Sequence, residues 1–320
     1  MSAEQNHAQL AAYILSLQSE RMLSPLTISS YRIDLEQLAR HAGASPGDPP
    51  FAAISQVHIR RFAAQMHAQG LGGRSIARKL STWRGFYHWL ADQVALARNP
   101  VVGVKAPKRD KPLPKALSAD DAVHLVSHSS VAPGVDPNTP AALCDLAMFE
   151  LLYSSGLRVS ELTSLDVRHM QHDGYTSPGW IDFDGRSVTV TGKGGKMRSV
   201  PVGGPALTAI TAWLAVRPAL IKADPLPLFV SARGGRMSPR QVQLRIKAHA
   251  QRLGIPADVH PHVLRHSFAS HMLQSSGDLR AVQEMLGHDS ITSTQIYTSL
   301  DFQRLAQVYD AAHPRAKKRP

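Results

Sequence analysis

Residues 260–272 read HPHVLRHSFASHM and place four histidines and one arginine in one short segment. If this segment is helical from about residue 262, then His262, Arg265 and His266 lie three and four positions apart and share one face. A zinc-protease helix needs a glutamate directly after the first of its two histidines, and none is present, so a metal site is not favoured. An arginine beside a histidine instead indicates a phosphate or carboxylate ligand. His266 is expected to pack or bond beside that ligand site, and for His271 the sequence offers no role.

The chain continues with GDLRAVQEMLGHDSITSTQIYTSLD. Asp278 is expected to cap a helix that Gly287 ends, and a second helix is expected to begin a few residues later. In one continuous helix His288 and Tyr297 would project about 180° apart. The break between the two helices therefore allows both side chains to reach one site.

Two further basic residues occupy positions suited to an anion. In GLRVSEL, Gly156 is expected to end a helix, so Arg158 lies at a helix junction, where a guanidinium and free backbone N–H groups can hold one anion together. Residues 187–202 alternate valines with polar residues on both sides of a glycine-rich turn, which predicts a β-hairpin with Lys193 near its tip. The tip is not a P-loop, because Val190 stands where that pattern requires glycine.

Together these residues fit metal-free phosphoryl transfer on a DNA phosphodiester. Tyr297 is the predicted nucleophile, and the two arginines are predicted to hold the non-bridging oxygens. Lys193 is predicted to protonate the departing 5′-oxygen, while the two histidines bind the phosphate or manage the tyrosine proton. A phosphotyrosine ester keeps the energy of the broken bond, so rejoining is expected to need no ATP, metal or other cofactor. The six predicted catalytic residues are Arg158, Lys193, His262, Arg265, His288 and Tyr297.

The sequence resembles the tyrosine recombinase (phage integrase) family, and its Xer branch in particular. The motifs that carry the resemblance are GLRVSEL, TGKGGKMRSVPVG, HVLRHSFASHML, LGHDSITSTQIYTSLD and the ending FQRLAQVYDAAHPRAKKR. They run through the whole second part of the chain, whereas TISSYRIDLEQLARH and RSIARKLSTWRGFYHWL in the first part match the family more loosely. The resemblance implies a site-specific DNA recombinase with two domains that grip opposite faces of duplex DNA.

The resemblance also implies partners. Members of the family act as tetramers on two DNA sites and exchange strands through a Holliday junction. In the Xer branch the partners are a second, related (XerD-like) recombinase in a heterotetramer and a division-associated DNA translocase, and the task is the resolution of chromosome dimers at a short site. The segment after Tyr297 is implied to dock into a neighbouring protomer. The stretches around 129–140 and 169–185 are longer than the family's usual pattern.

Composition supports a nucleic-acid partner. Lysine and arginine number 36 against 24 aspartates and glutamates, a formal net charge of +12, which favours a polyanion such as double-stranded DNA. The single cysteine, Cys144, excludes an intrachain disulfide and a multi-cysteine zinc site, and it is expected to be a small buried hydrophobe. The N-terminus lacks the cationic start of a signal peptide, and no run of about 18 apolar residues predicts a membrane span. A cytoplasmic protein is expected.

The chain length predicts two domains, and the fold class is mainly α with a small β-sheet, that is, α+β. We expect a helical DNA-binding domain over 1–106, a basic proline-rich linker over 107–115 and a catalytic domain over 116–320. An aromatic and aliphatic stripe in the first domain is expected to be core, at Leu80, Trp83, Tyr87 and Leu90. Basic residues mainly off that stripe are predicted to contact DNA phosphates, at Arg74, Arg78, Lys79 and Arg84.

Two other functions remain open at this point. A catalytically silent DNA-binding accessory protein could share the scaffold, although an intact catalytic set argues against it. A type IB topoisomerase, which relaxes supercoiled DNA by cleaving and rejoining one strand, shares the same set of catalytic residues. The small helical first domain and the Xer-like ending favour recombination over relaxation.

Overall fold

The computed structural model describes residues 2–43, 50–107, 116–127, 136–192, 195–255, 258–287 and 299–316. The chain divides into two compact units, Met1–Pro112 and Leu113–Pro320. The expected architecture, mainly α with small antiparallel sheets, is confirmed. Within the described ranges, no helix has both the length and the apolarity needed to cross a membrane.

The described part of the first unit consists of helices joined by turns and loops, without a strand. Ser24 caps the second helix: its Oγ accepts from the Thr27 backbone N–H at 3.3 Å, and Pro25 occupies the first turn. A short 3₁₀ turn, Phe51–Ala53, precedes the third helix. The helices are α1 (Ser2–Ser19), α2 (Pro25–Ala42), α3 (Gln56–Ala68) and α4 (Gly73–Ala91).

The core of this unit is built on α4. Leu80, Trp83, Tyr87 and Leu90 are all buried, which confirms the sequence prediction of a core stripe. Three- and four-residue spacing places these side chains on one face of the helix, where they pack with residues of α1, α2 and α3. Their burial removes them from any role as an exposed base-stacking platform.

The second unit surrounds one central helix, α6 (Pro140–Ser155), which is buried along most of its length. The predicted burial of Cys144 on this helix is confirmed. The other helices of the unit are α5 (Ala119–Val126), α7 (Val159–Ser164), α8 (Gly204–Val216), α9 (Pro239–Arg252), α10 (Pro261–Ser276), α11 (Leu279–Leu286) and α12 (Ser299–Ala312).

The predicted hairpin is part of a three-stranded antiparallel sheet. Its strands, in spatial and chain order, are β3 (Gly179–Asp182), β4 (Ser187–Thr191) and β5 (Met197–Pro201). Val188 pairs with Val200 and is buried with it, so the period-2 alternation correctly predicted the inward face. Val190 pairs with Arg198, which places a guanidinium on that same buried face.

The longer stretch before this sheet contains a second, smaller hairpin. Its strands are β1 (Gln171–His172) and β2 (Tyr175–Thr176), joined by Asp173 and Gly174 with φ of 47° and 79°. Positive φ at both central residues is the geometry of a type I′ turn, for which Asp-Gly is a favoured pair. The Tyr175 hydroxyl donates to the Asp166 carboxylate at 2.6 Å and ties this hairpin to the unit.

Helix α12 packs on α10 and β5 of its own unit. The Tyr309 hydroxyl lies 2.7 Å from Ser154 Oγ of α6, and Arg315, just beyond the helix, forms an ion pair with the buried Glu150. Burial raises the pKa of Glu150 to about 7, although the hydrogen bond and charge of Arg315 act in the opposite direction. These contacts fix α12 and the residues just beyond it against α6, α10 and β5 of the same chain.

Candidate active site

The junction between α6 and α7 positions Arg158. Gly156 ends α6 with φ of 57°, and a Cβ at this position would overlap the ring of Phe268 on α10. Only glycine meets both conditions, the left-handed backbone and the close approach. The chain turns here, and Arg158 becomes the N-cap residue of α7.

Glu161, in the first turn of α7, binds two arginines. Its carboxylate accepts from the Arg158 backbone N–H at 2.7 Å and from Arg158 Nη1 at 2.8 Å. Arg198 donates to both carboxylate oxygens, at 2.8 and 2.9 Å, in a bidentate pair. Burial alone raises the pKa of Glu161, but the hydrogen bonds and charges of Arg198 and Arg158 outweigh it, and the pKa is lowered. Glu161 is therefore a buried carboxylate ion.

Arg265 on α10 is 9% exposed and bridges two backbone carbonyls. Its Nη1 donates to Gly156 O and its Nη2 to Leu286 O, both at 2.6 Å. Burial and the neighbouring positive charge of Arg158 lower the pKa of Arg265 to about 10, with Arg198 adding to the effect and Glu161 opposing it. The guanidinium thus remains charged at neutral pH in a site that already carries excess positive charge.

The C-terminal end of α11 completes the described part of the site. Arg198 Nε, Arg265 Nη2 and Arg158 Nη2 donate to the carbonyls of Met285, Leu286 and Gly287, at 2.9, 2.6 and 3.2 Å. The last carbonyls of a helix have no partner within the helix and carry partial negative charge, so they suit guanidinium donors. Two of the three guanidiniums bind the Glu161 carboxylate and Arg265 lies near them, so the described side chains leave a net positive charge suited to a phosphate.

The histidines of α10 separate into exposed and buried ones. His262 lies one turn before Arg265, and its side chain is exposed. His266 is also exposed, and the expectation that it packs or bonds beside the site stays a prediction. His271 is buried: its Nδ1 lies 3.0 Å from the Tyr153 hydroxyl and its Nε2 lies 3.0 Å from Leu117 O. Burial lowers the pKa of His271, consistent with a neutral structural residue.

Three of the six predicted catalytic residues, Lys193, His288 and Tyr297, lie outside the described residues. The flanking elements are described. Strands β4 and β5 adjoin Lys193, and the end of α11 leads directly into His288. The structure therefore brings Arg158 and Arg265 together and places His262 one helical turn from Arg265.

Sequence reasoning missed Glu161 and Arg198. A signal for Arg198 exists, because it stands in phase with Val200 on the buried face of β5, where a charged residue requires a partner. Glu161 is three residues after the N-cap, the position at which a glutamate reaches back to the first N–H of a helix. Neither signal identifies the other residue as its partner across 37 positions of sequence.

The basic residues proposed for DNA contact in the first unit differ in exposure. Arg74 and Arg78 are exposed on α4, and Arg84 is partly exposed. Lys79 is buried, and its ammonium lies 3.0 Å from the buried carboxylate of Asp34, so it does not belong to the solvated basic face. Arg78 pairs with the same carboxylate while half of its side chain is exposed. Its remaining donors can therefore meet an anion.

Metal ligation finds no support among the side chains that the structure describes. In those ranges, no three or more of the His, Cys, Asp and Glu side chains form a group that could hold a metal ion. The charged groups that the structure brings together here are the guanidiniums of Arg158, Arg198 and Arg265 and the carboxylate of Glu161.

Comparisons with known proteins match both units. The family model "Phage integrase family" matches residues 115–304, and "Phage integrase, N-terminal SAM-like domain" matches residues 10–94. Tyrosine recombinase XerC of Ralstonia pickettii (strain 12J) is 54% identical and covers 99% of this chain and 97% of its own length. Tyrosine recombinase XerC of Alcanivorax borkumensis is 47% identical, with coverages of 96% and 94%.

Solved structures show the same fold. XerH site-specific recombinase bound to palindromic difH substrate, in a post-cleavage complex, has a TM-score of 0.65 at 19% identity, covering 91% of this chain and 81% of its own. A lambda integrase(75-356) dimer bound to a COC' core site has a TM-score of 0.63 at 18% identity, with coverages of 91% and 99%. At these identities the likeness concerns the fold.

Proposed function

The chain belongs to the phage integrase family of tyrosine recombinases, enzymes that cleave and rejoin DNA, and on this premise we propose how its residues perform the reaction. The observation that carries the proposal is the meeting of Arg158 and Arg265 at the end of α11, where the described side chains carry more positive than negative charge. A DNA phosphodiester, which carries one negative charge, is a ligand suited to such a cluster.

In the proposed reaction Tyr297 attacks the phosphorus, and the bond to the 5′-oxygen breaks. The product is a 3′-phosphotyrosyl ester and a free 5′-hydroxyl, whose proton comes from Lys193 acting as general acid. Arg158 and Arg265 stabilise the charge that develops on the non-bridging oxygens. His262 and His288 bind the phosphate or take the tyrosine proton. The reverse sequence, with a different 5′-hydroxyl, joins the exchanged strand.

The first test is covalent capture of the wild-type protein. A nicked suicide substrate that bears the recombination site loses a short fragment on cleavage and so traps the adduct. We expect an SDS-resistant protein–DNA adduct that forms equally well in EDTA, since arginines and not a metal ion stabilise the transition state. Strict dependence on a divalent metal would overturn this mechanism.

Three DNA substrates separate recombination from the two other functions: the nicked suicide substrate, supercoiled DNA without the site, and DNA that carries two copies of the site. DNA binding without any adduct would indicate a catalytically silent accessory protein. Relaxation of supercoiled DNA without site preference would indicate a type IB topoisomerase. Recombination between two copies of one site, without net relaxation of other DNA, supports the proposed function.

We further propose that the protein resolves chromosome dimers at a short site. The support is its similarity, over nearly its whole length, to proteins named XerC. In this proposal the enzyme acts with a second, XerD-like recombinase in a heterotetramer and with a division-associated DNA translocase. Action on chromosomal DNA places it in the cytoplasm. The test mixes this protein and the related recombinase of the same genome with the site, and Holliday junctions are expected only when both are present.

The first unit is proposed to hold DNA through exposed arginines of α4. We expect Arg78→Ala to weaken DNA binding and to lower the slope of log affinity against log salt by about 1, as loss of one phosphate contact does. We expect Lys79→Met to leave that slope unchanged, because the Lys79 ammonium pairs with buried Asp34. It should instead reduce the free energy of unfolding by about 1–3 kcal/mol, the usual cost of leaving a buried polar group short of a partner.

The measurement is DNA affinity over a range of salt concentrations, together with urea denaturation of both variants. Arg74→Ala serves as a second exposed variant on the same helix and is expected to behave like Arg78→Ala. A salt slope that falls in Lys79→Met and not in Arg78→Ala would contradict this assignment.

A further inference from the structure

Arg198 is the least accessible of the three arginines that meet at the end of α11. It is 6% exposed, and its hydrogen bonds go to Glu161 and to Met285 O. Arg158, by contrast, has 34% of its side chain exposed. A buried guanidinium that is already bound to protein groups can affect the reaction only through the residues that it contacts.

The first neighbour is Glu161, which Arg198 shares with Arg158. Without Arg198, Arg158 would be the only cation among the described residues that is bonded to the Glu161 carboxylate, which is 3% exposed. Attraction in a poorly solvated site would then draw Arg158 into a closed pair with Glu161. The bidentate bond from Arg198 neutralises the carboxylate, so Arg158 keeps an uncompensated charge for the scissile phosphate.

The second neighbour is the end of α11. Gly287 has φ of 63°, and a Cβ at this position would lie 3.2 Å from Cδ, Nε and Nη1 of Arg198. This distance is shorter than an ordinary van der Waals contact, and the positive φ by itself favours glycine. Arg198 therefore packs directly against the residue that precedes His288 in the chain.

We propose that Arg198 is a positioning residue for DNA cleavage, which neutralises Glu161 so that Arg158 remains available to the phosphate and fixes the end of α11 where the chain leads to His288 and Tyr297. This inference rests on the proposed function. It adds to that function a residue outside the six predicted from sequence, one whose guanidinium binds Glu161 and Met285 O.

The test measures the single-turnover rate constant of adduct formation on the suicide substrate, with the enzyme at a saturating concentration. The rate constant is expressed per folded enzyme molecule. For Arg198→Met we expect a rate constant lower by on the order of tenfold to a hundredfold, as misplacement of reacting groups produces, with DNA affinity unchanged. Arg198→Lys keeps the charge but cannot bind both Glu161 oxygens and Met285 O together, so an intermediate rate is expected.

The matched control is Arg217→Met. Arg217 is also buried, at 5% exposure, and donates to the backbone carbonyls of Pro225 and Pro227, away from the site. This variant is expected to lower the melting temperature without changing the rate constant per folded molecule. This control separates the general effect of losing a buried guanidinium from the specific effect of losing Arg198.

A rescue experiment distinguishes positioning from general support of the fold. In Arg198→Met, the buried Glu161 carboxylate lacks its main partner, so adding Glu161→Gln removes the charge that captures Arg158. We expect the double variant to cleave faster than Arg198→Met alone. The proposal is overturned if the double variant is no faster, or if Arg198→Met retains the wild-type rate. Where Arg198→Met does not fold, an unchanged rate in Arg198→Lys overturns it equally. Absence of any adduct with the wild-type enzyme would instead overturn the proposed function.

Discussion

Replacing Tyr297 by phenylalanine is expected to abolish the covalent protein–DNA adduct while DNA binding is retained. The phenolic oxygen is the atom that forms the new bond to phosphorus, and phenylalanine removes that oxygen without changing the size of the ring. Without that oxygen no phosphotyrosyl ester forms, and any strand cleavage by water is expected to be slower by on the order of 10⁴-fold or more, since the remaining binding groups supply only residual catalysis. The measurement is adduct formation on the nicked suicide substrate, followed by mass analysis of the DNA-linked peptide.

The control for this variant is Tyr309→Phe. Tyr309 is a buried tyrosine of α12, 12 residues further along the chain, and its hydroxyl lies 2.7 Å from Ser154 Oγ. Its loss should cost about 0.5–1.5 kcal/mol of stability, the net value of one hydrogen bond, and leave the adduct intact. Persistence of the adduct in Tyr297→Phe, with another residue as the attachment point, would remove Tyr297 as the nucleophile.

Arg265→Ala is expected to lower the rate of DNA cleavage by about 10²–10³-fold, the usual effect of losing one preorganised donor to a developing charge. In the proposed mechanism Arg265 supplies positive charge at the phosphate. The structure adds that its guanidinium also joins Gly156 O to Leu286 O, and so links the α6–α7 junction to the end of α11. The substitution therefore removes both a charge and a support for Arg158.

This second role predicts a loss of stability as well. Two buried carbonyls lose their donor in Arg265→Ala, at a cost of roughly 1–3 kcal/mol for each acceptor left unsatisfied. Cleavage rates must therefore be divided by the folded fraction, measured by urea denaturation. Arg265→Lys separates the two roles, because it keeps the charge but reaches fewer acceptors, and it should cleave faster than Arg265→Ala. Equal rates for wild type and Arg265→Ala, per folded molecule, would exclude Arg265 from the chemistry.

The positive charge of the site explains why the effect of Arg265→Ala is expected to be large. Among the described residues, Arg158 and Arg198 bind the Glu161 carboxylate and Arg265 lies close to them in a poorly solvated region, so three positive charges face one negative charge. A bound phosphate relieves this excess of charge, and the charge that develops during cleavage relieves it further. The arginines are held at protein carbonyls before DNA arrives, so little reorganisation is needed at the moment of reaction.

The sequence by itself determined the family and the class of fold. The order and types of the six predicted catalytic residues indicated metal-free phosphoryl transfer, and the family that they resemble is the one that the comparisons show. Local patterns also predicted the β4–β5 hairpin, the core stripe of α4 and the end of a helix at Gly156. Each of these features depends on residues that are close in sequence, through alternation, helical spacing or glycine conformation. For that reason each could be predicted from the sequence.

Only the tertiary structure decided how the charges are paired. Lys79 and Arg78 are adjacent basic residues of one helix, yet Lys79 is buried against Asp34 and Arg78 is half exposed. Glu161 meets Arg198 across 37 positions, and Arg158 reaches Gly287 O across 129. Which charge is neutralised and which remains available to a phosphate depends on packing between distant elements, because burial and distance set the strength of each ion pair. No local pattern in the sequence contains that information.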